Sequence, residues 1–174
     1  MTRVALLCVV CAAVGCGDLD VVTNTYSTMA DARAAGAVDR GWLPAFVPDG
    51  AHDIREAHDE GGSGRRWGLF SFAPEDTPTL RQSLGAASGF EGWAVDAPPR
   101  IEWWPVALRG ALQPDRLAST GLLGYRVPAD GLAVGVNWNQ RRAYYWTLLT
   151  VVANKPKREA PRTGGGGGAP PQTD

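Results

Sequence analysis

Beyond residue 16 the chain has no cysteine: its three, Cys8, Cys11 and Cys16, all lie near the N-terminus. The rest must therefore fold without disulfides and offers no thiolate to a metal. Histidine is almost as scarce. His52 and His58 are the only two, too few strong ligands for a closed zinc tetrahedron. No apolar run reaches the roughly 20 residues that a membrane-spanning helix needs. Charge of one sign is missing too. The net charge is −1 with acids and bases interspersed, which argues against a nucleic-acid partner. Two glycine-rich runs also lack the chemistry they superficially suggest. Residues 164–168 are not followed by the Lys-Ser/Thr and helix of a phosphate loop. Ser63 has Arg65 where a nucleophile elbow needs glycine. No cofactor and no internal repeat is expected.

What is present begins with an export signal. Arg3 is followed by an unbroken apolar stretch over residues 4–12, then by Ala13, Val14 and Gly15 in front of Cys16. This pattern resembles the lipobox of bacterial lipoproteins, although Ala13 stands where leucine is usual. The resemblance implies diacylglyceryl attachment to Cys16 and cleavage before it, leaving the protein tethered in the cell envelope by lipid. Cys8 and Cys11 follow Leu7 and Val10, poor cleavage contexts. A transmembrane anchor fits less well, since the run is short and meets Gly15, Gly17, Asp18 and Asp20. An ordinary cleavable signal, cut near Ala13, is the other alternative. In a Gram-negative host, Gly17 after the cysteine favours the periplasmic face of the outer membrane over the inner membrane.

The remaining length suits one domain. We read residues 1–15 as signal, 16–24 as lipidated tether, 25–153 as an α+β domain and 154–174 as a disordered Lys/Pro/Gly-rich tail. Thr28 and Asp31 imitate a capping box, with Gly36 closing the helix. Pro44 and Pro48 force extended backbone ahead of them, and the apolar residues around Trp42 suggest a buried crossing segment. Residues 53–58 and 66–72 read as a hairpin, and Thr77-Pro78 opens a second helix ending at Gly89. Residues 100–104 read as a strand, and a short helix begins at Pro114. Runs at 122–127, 132–138 and 143–152 read as three strands, the last apolar on both faces and so central. The expected architecture is an antiparallel sheet of five or six strands carrying two or three short helices.

One segment carries a second likeness. Tyr26, Asp31, Ala32, Gly36, the run Gly41-Trp42-Leu43-Pro44, Pro48, Asp53-Ile54 and His58-Asp59 precede an aromatic strand. In that order they resemble small bacterial envelope proteins with a YbbD-like head domain, over residues 26–72. Residues 60–64 depart from it, since an asparagine-containing turn is expected there. The resemblance implies a shared fold and supplies no activity.

Two sets of residues carry candidate chemistry. His52, Glu56, His58 and Asp59 form the one dense polar cluster, and strand alternation would put His52, Glu56 and His58 on one face. Their spacing matches no zinc signature, so we expect a hydrophilic strand beside a solvated turn, with Asp53 or His58 bonding nearby backbone. The seven tryptophans outnumber the four Phe or the four Tyr. Most should fill the core, while Trp67, Trp103 and Trp104 are candidate contacts for a glycan or protein partner. Adjacent Trp103 and Trp104 would face opposite ways on a strand. Trp42 should be a buried anchor.

Three functions stay open: a non-enzymatic envelope binding domain, a carbohydrate or peptidoglycan-fragment module using surface tryptophan, and a hydrolase using His58 with Asp59 or Glu56. An aromatic groove would favour the second, and a buried His–carboxylate pair in a pocket the third.

Overall fold

Two antiparallel meanders meet at the centre of one six-stranded sheet. A computed structural model describes residues 20–96 and 101–148, so Cys16, the signal and the tail lie outside it. In chain order the elements are β1 (Val21–Thr28), α1 (Met29–Ala34), β2 (His52–Asp59), β3 (Arg66–Ser71), α2 (Thr77–Leu84), β4 (Ala94–Val95), β5 (Gly110–Ala111), α3 (Pro114–Ala118), β6 (Leu122–Val127), β7 (Leu132–Asn137) and β8 (Arg142–Thr147). The sheet runs β1-β2-β3-β8-β7-β6, every neighbouring pair antiparallel. The fold is the expected α+β domain. β1 begins at Val21, so the last four residues read as tether belong to the sheet instead.

Local chemistry sets the ends of α1. The Thr28 hydroxyl accepts from the Asp31 N–H, and the Asp31 carboxylate accepts from the Thr28 N–H. At the other end Gly36, at φ 74°, lets Ala37 N–H reach the Ala32 carbonyl and Gly36 N–H the Arg33 carbonyl. Both bonds satisfy carbonyls that the helix leaves open. α2 starts beside Asp76, not at a Thr77 cap, and stops at Gly85, four residues before the expected glycine. Its stripe is as expected: Leu80 and Leu84 are both buried.

Each face of the sheet has its own core. On one face Ile54, Phe70, Phe72, Val134, Val136 and Tyr145 pack under α1, α2 and the proline-bearing segment through Leu43 and Val47. That segment is not extended. It folds into turns, Val47 N–H bonding the Pro44 carbonyl and Ala51 N–H the Pro48 carbonyl. On the other face Ala57, Trp67, Ala133 and Trp146 pack against Trp93, Trp104, Leu108 and Leu117. These come from the long connection between β3 and β6. With both faces covered, the central strands need apolar residues at successive positions, which explains the apolar run of β8.

Residues 101–104 form turns, not the expected strand. The two tryptophans still diverge. Trp104 is buried and donates from Nε1 to the Leu108 carbonyl at 2.7 Å, whereas Trp103 stays partly exposed.

The two meanders join through β3 and β8, where Gly68 lies opposite Tyr145. A Cβ at Gly68 would fall on the Tyr145 ring, so the ring occupies the space that a side chain would take. Gly68→Ala should therefore overpack the centre of the sheet and cost about 1–3 kcal/mol. Denaturant unfolding of the full chain would measure it, and an unchanged midpoint would contradict this account of the β3–β8 junction.

Candidate functional site

The polar cluster lies on β2, second from the edge. β1 covers its outer side, pairing Asn24 with Glu56 and Val22 with His58. The segment carrying Trp42 covers its face. Glu56 and His58 are consequently 0% and 5% exposed, and Asp59 is buried as well. Of the expected hydrophilic strand beside a solvated turn, the turn over residues 60–64 is exposed, but the strand is covered from Glu56 to Asp59. His52 also stands apart from the pair. Asp53 adopts left-handed backbone at φ 49° and the register against β3 shifts between His52 and Arg55. Alternation does not carry through this bulge, and His52 is exposed, its Nδ1 3.3 Å from the Gly50 carbonyl. The three residues expected on one face do not converge. Among the described residues no group of three or more His, Cys, Asp or Glu is placed to hold a metal ion.

Glu56 organises the buried pair. Its Oε2 lies 2.9 Å from His58 Nδ1, and its Oε1 accepts from Asn24 Nδ2 at 2.5 Å. Tyr26 and Tyr145 stand nearby. Burial raises the pKa of both phenols, and the Glu56 charge raises it further, Tyr145 well above the usual tyrosine range. Trp42 stacks on the imidazole with ring centroids 3.9 Å apart and planes 16° from parallel. The Arg40 guanidinium lies over the Trp42 ring at 4.7 Å, and the Trp42 carbonyl accepts from the Tyr145 hydroxyl. Trp42 packs against the core as a partly exposed cover, where a buried anchor was expected.

This pair has a base oriented by a carboxylate, one element of a hydrolytic site. It borders a cleft of about 210 Å³ with Arg40, Trp42 and Arg66. His58 Nε2, the atom that would take a proton, is nevertheless buried and without a hydrogen-bond partner among the described residues. The Glu60 carboxylate approaches only to 3.9 Å. A general base must come within hydrogen-bonding reach of its proton, and this nitrogen is closed off.

Asp59 serves the turn after β2. Its carboxylate accepts the N–H groups of Gly61 at 3.2 Å and Ser63 at 3.0 Å. The Ser63 hydroxyl, then these backbone donors, hold its pKa below the usual carboxylate value against the opposing effect of burial.

The opposite face carries an open cleft of about 470 Å³, lined by Thr25, Asp53, Arg55, Trp103, Arg142 and Tyr144 over a Leu69 floor. The register puts Thr25, Arg55, Leu69 and Tyr144 in one row across four strands. Sequence reasoning singled out Trp103 but missed the arginines and Tyr144, because they converge from β2 and β8, distant in sequence. Trp67 and Trp104 are each 2% exposed and belong to the core. As contacts for a partner they are corrected: the β3–β8 junction and the covering loop enclose them. A third groove, of about 600 Å³, runs beside β6 past Phe90, Leu123 and Trp138.

The architecture defines an α+β domain with a two-sided sheet. Residues 20–68 match the family model of the YbbD head domain, so the likeness holds over that segment, from the start of β1 into β3. The match includes the Glu56–His58–Trp42 cluster and leaves out Trp103 and β8. No curated protein and no solved structure matches the chain. No helix of the described residues is long and apolar enough to cross a membrane.

Two substitutions test these contacts. Trp42→Ala should cost about 2–4 kcal/mol, somewhat under the loss for a fully buried tryptophan, as read from denaturant melts. Asp59 contributes stability that is present above the carboxyl's unfolded value of about 3.9 and lost as pH falls through its lower folded value. Asp59→Asn should therefore melt below wild type at pH 7, with the gap narrowing as pH falls below about 4. A gap constant across that range would remove the Asp59 carboxylate from the account.

Proposed function

We propose that the chain is a lipoprotein of the bacterial envelope, held to a membrane by lipid on Cys16, whose folded domain is a non-enzymatic binding module. The lipobox-like run in front of Cys16 supports the anchor. In a Gram-negative cell the reading places the protein on the periplasmic face of the outer membrane, since Gly17 and not aspartate follows the cysteine. The contrast between the two polar sites carries the binding role. The Glu56–His58 pair is closed at the nitrogen that would act, while the Trp103 cleft opens to solvent with mixed charge and aromatic rings. The module would take a glycan or protein partner from the envelope in that cleft.

The hydrolase reading retains one favourable observation, the 2.9 Å bond that orients His58 on Glu56. Because the chain has only two histidines, selective labelling decides between the readings. Diethyl pyrocarbonate should modify exposed His52 quickly and His58 slowly in folded protein, both reacting once it is unfolded. Equal rates in the folded state would reopen catalysis at His58. For the anchor, intact mass of membrane-extracted protein should give a chain starting at Cys16 with diacylglyceryl mass added. Cys16→Ser should block processing or release the protein from membranes. A mature chain that begins elsewhere and washes off in salt would reject the anchor.

A further inference from the structure

We infer that the Trp103 cleft recognises an acidic saccharide: a pyranose ring stacked on the aromatic side chains, with its carboxylate held by Arg55 and Arg142. The inference rests on the binding-module reading and names the class of ligand for that site.

The aromatic rings are fixed in advance. Trp103 and Tyr144 both abut the buried Trp104, at centroid distances of 5.8 and 6.0 Å and interplanar angles of 71° and 87°. Trp104 is in turn held by its bond to the Leu108 carbonyl and by edge contact with buried Trp146 at 6.1 Å. Rings braced in this way lose little conformational freedom when a ligand arrives. Their flat faces suit the apolar face of a sugar ring, and the polar surroundings suit its hydroxyls.

The charges select among sugars. Arg55 and Arg142 reach the cleft from β2 and β8. Neither forms an ion pair with a carboxylate among the described residues, although Arg33 and Arg65 are each paired with an aspartate. An uncommitted guanidinium is a planar fork that matches a carboxylate. Two arginines against Asp53 leave the cleft net positive, which favours an anionic ligand over a neutral one. The Asp53 carboxylate offers acceptor oxygens, and the Thr25 hydroxyl both donates and accepts. These two would meet ring hydroxyls. Thr25 shares the cross-strand row of Arg55 and Tyr144, while Arg142 enters the cleft from the position opposite Ser71.

A matched pair of sugars isolates the carboxylate. N-acetylmuramic acid differs from N-acetylglucosamine by a lactyl group that carries the acid. Calorimetric titration of the full-length protein in detergent micelles should give binding of the acidic sugar at least tenfold tighter. Arg55→Gln and Arg142→Gln should each remove most of that preference while keeping the weaker binding of the neutral sugar. Trp103→Ala should weaken both sugars at an unchanged melting temperature. The arginine variants keep the result readable should Trp103→Ala unfold. Equal affinity for the two sugars, dependent on Trp103, would discard the acidic class and leave the binding module standing. Competition by lactate alone as strong as by the acidic sugar would discard ring recognition. Absence of any Trp103-dependent binding would overturn the site. The binding module itself falls on a separate readout, fast labelling of His58 in the folded protein.

Discussion

The pairing of β3 with β8 is the constraint on which the rest depends. It joins two meanders that would each be a three-stranded sheet with an open edge, and it puts large side chains on both faces of one junction. On one face Trp67 opposes Trp146, and on the other Phe70 opposes Ala143 while the Tyr145 ring lies over Gly68. Neither face can be left to water, so each needs a cover. The covers are supplied by the segment between β1 and β2 and by the connection from β3 to β6. These same covers determine which polar groups are sealed and which stay open.

Sealing explains the Glu56–His58 pair. A carboxylate with no exposed surface is tolerable only when it is well bonded, and Glu56 has Asn24 and His58, with Tyr26 and Tyr145 beside it. Trp42 closes the site as a stacked lid, bonded through its carbonyl to Tyr145 of the central strand. Among the residues that give the YbbD-like segment its appearance, Tyr26, Trp42 and His58 gather β1, β2 and the proline-bearing crossing around one buried acid. Asp31, Gly36 and Asp59 instead set the ends of α1 and the turn after β2. The open cleft beside Trp103 forms elsewhere, on the opposite face of the sheet.

Much of the local structure was legible because its causes lie within a few residues of each other. Thr28 and Asp31 cap α1 across three residues, Gly36 closes it, and Gly131 turns the chain between β6 and β7. The runs at 122–127 and 132–138, and that at 143–152 as far as Thr147, gave three strands, with β8 in the interior of the sheet; residues 149–152 lie outside the described part. Errors came where a single residue or a distant contact intervened. The bulge at Asp53 broke the alternation that would have aligned His52 with Glu56 and His58. The same strand looked hydrophilic because its sequence holds no information on the cover that Trp42 provides.

The sequence alone determined the class of domain, the ends of α1, the turn at Gly131, the lipobox-like run before Cys16 and the absence of thiols beyond it. Each is decided by composition or by neighbours along the chain. Tertiary structure alone decided the sealing of His58, the burial of Trp67 and Trp104, and the opening of a cleft lined by Arg55, Trp103, Arg142 and Tyr144. Arg55 lies 89 residues from Tyr144, Trp67 79 from Trp146 and His58 16 from Trp42. Only the closing of the sheet through β3 and β8 brings them together, because side-chain packing between distant strands has no signature in local periodicity.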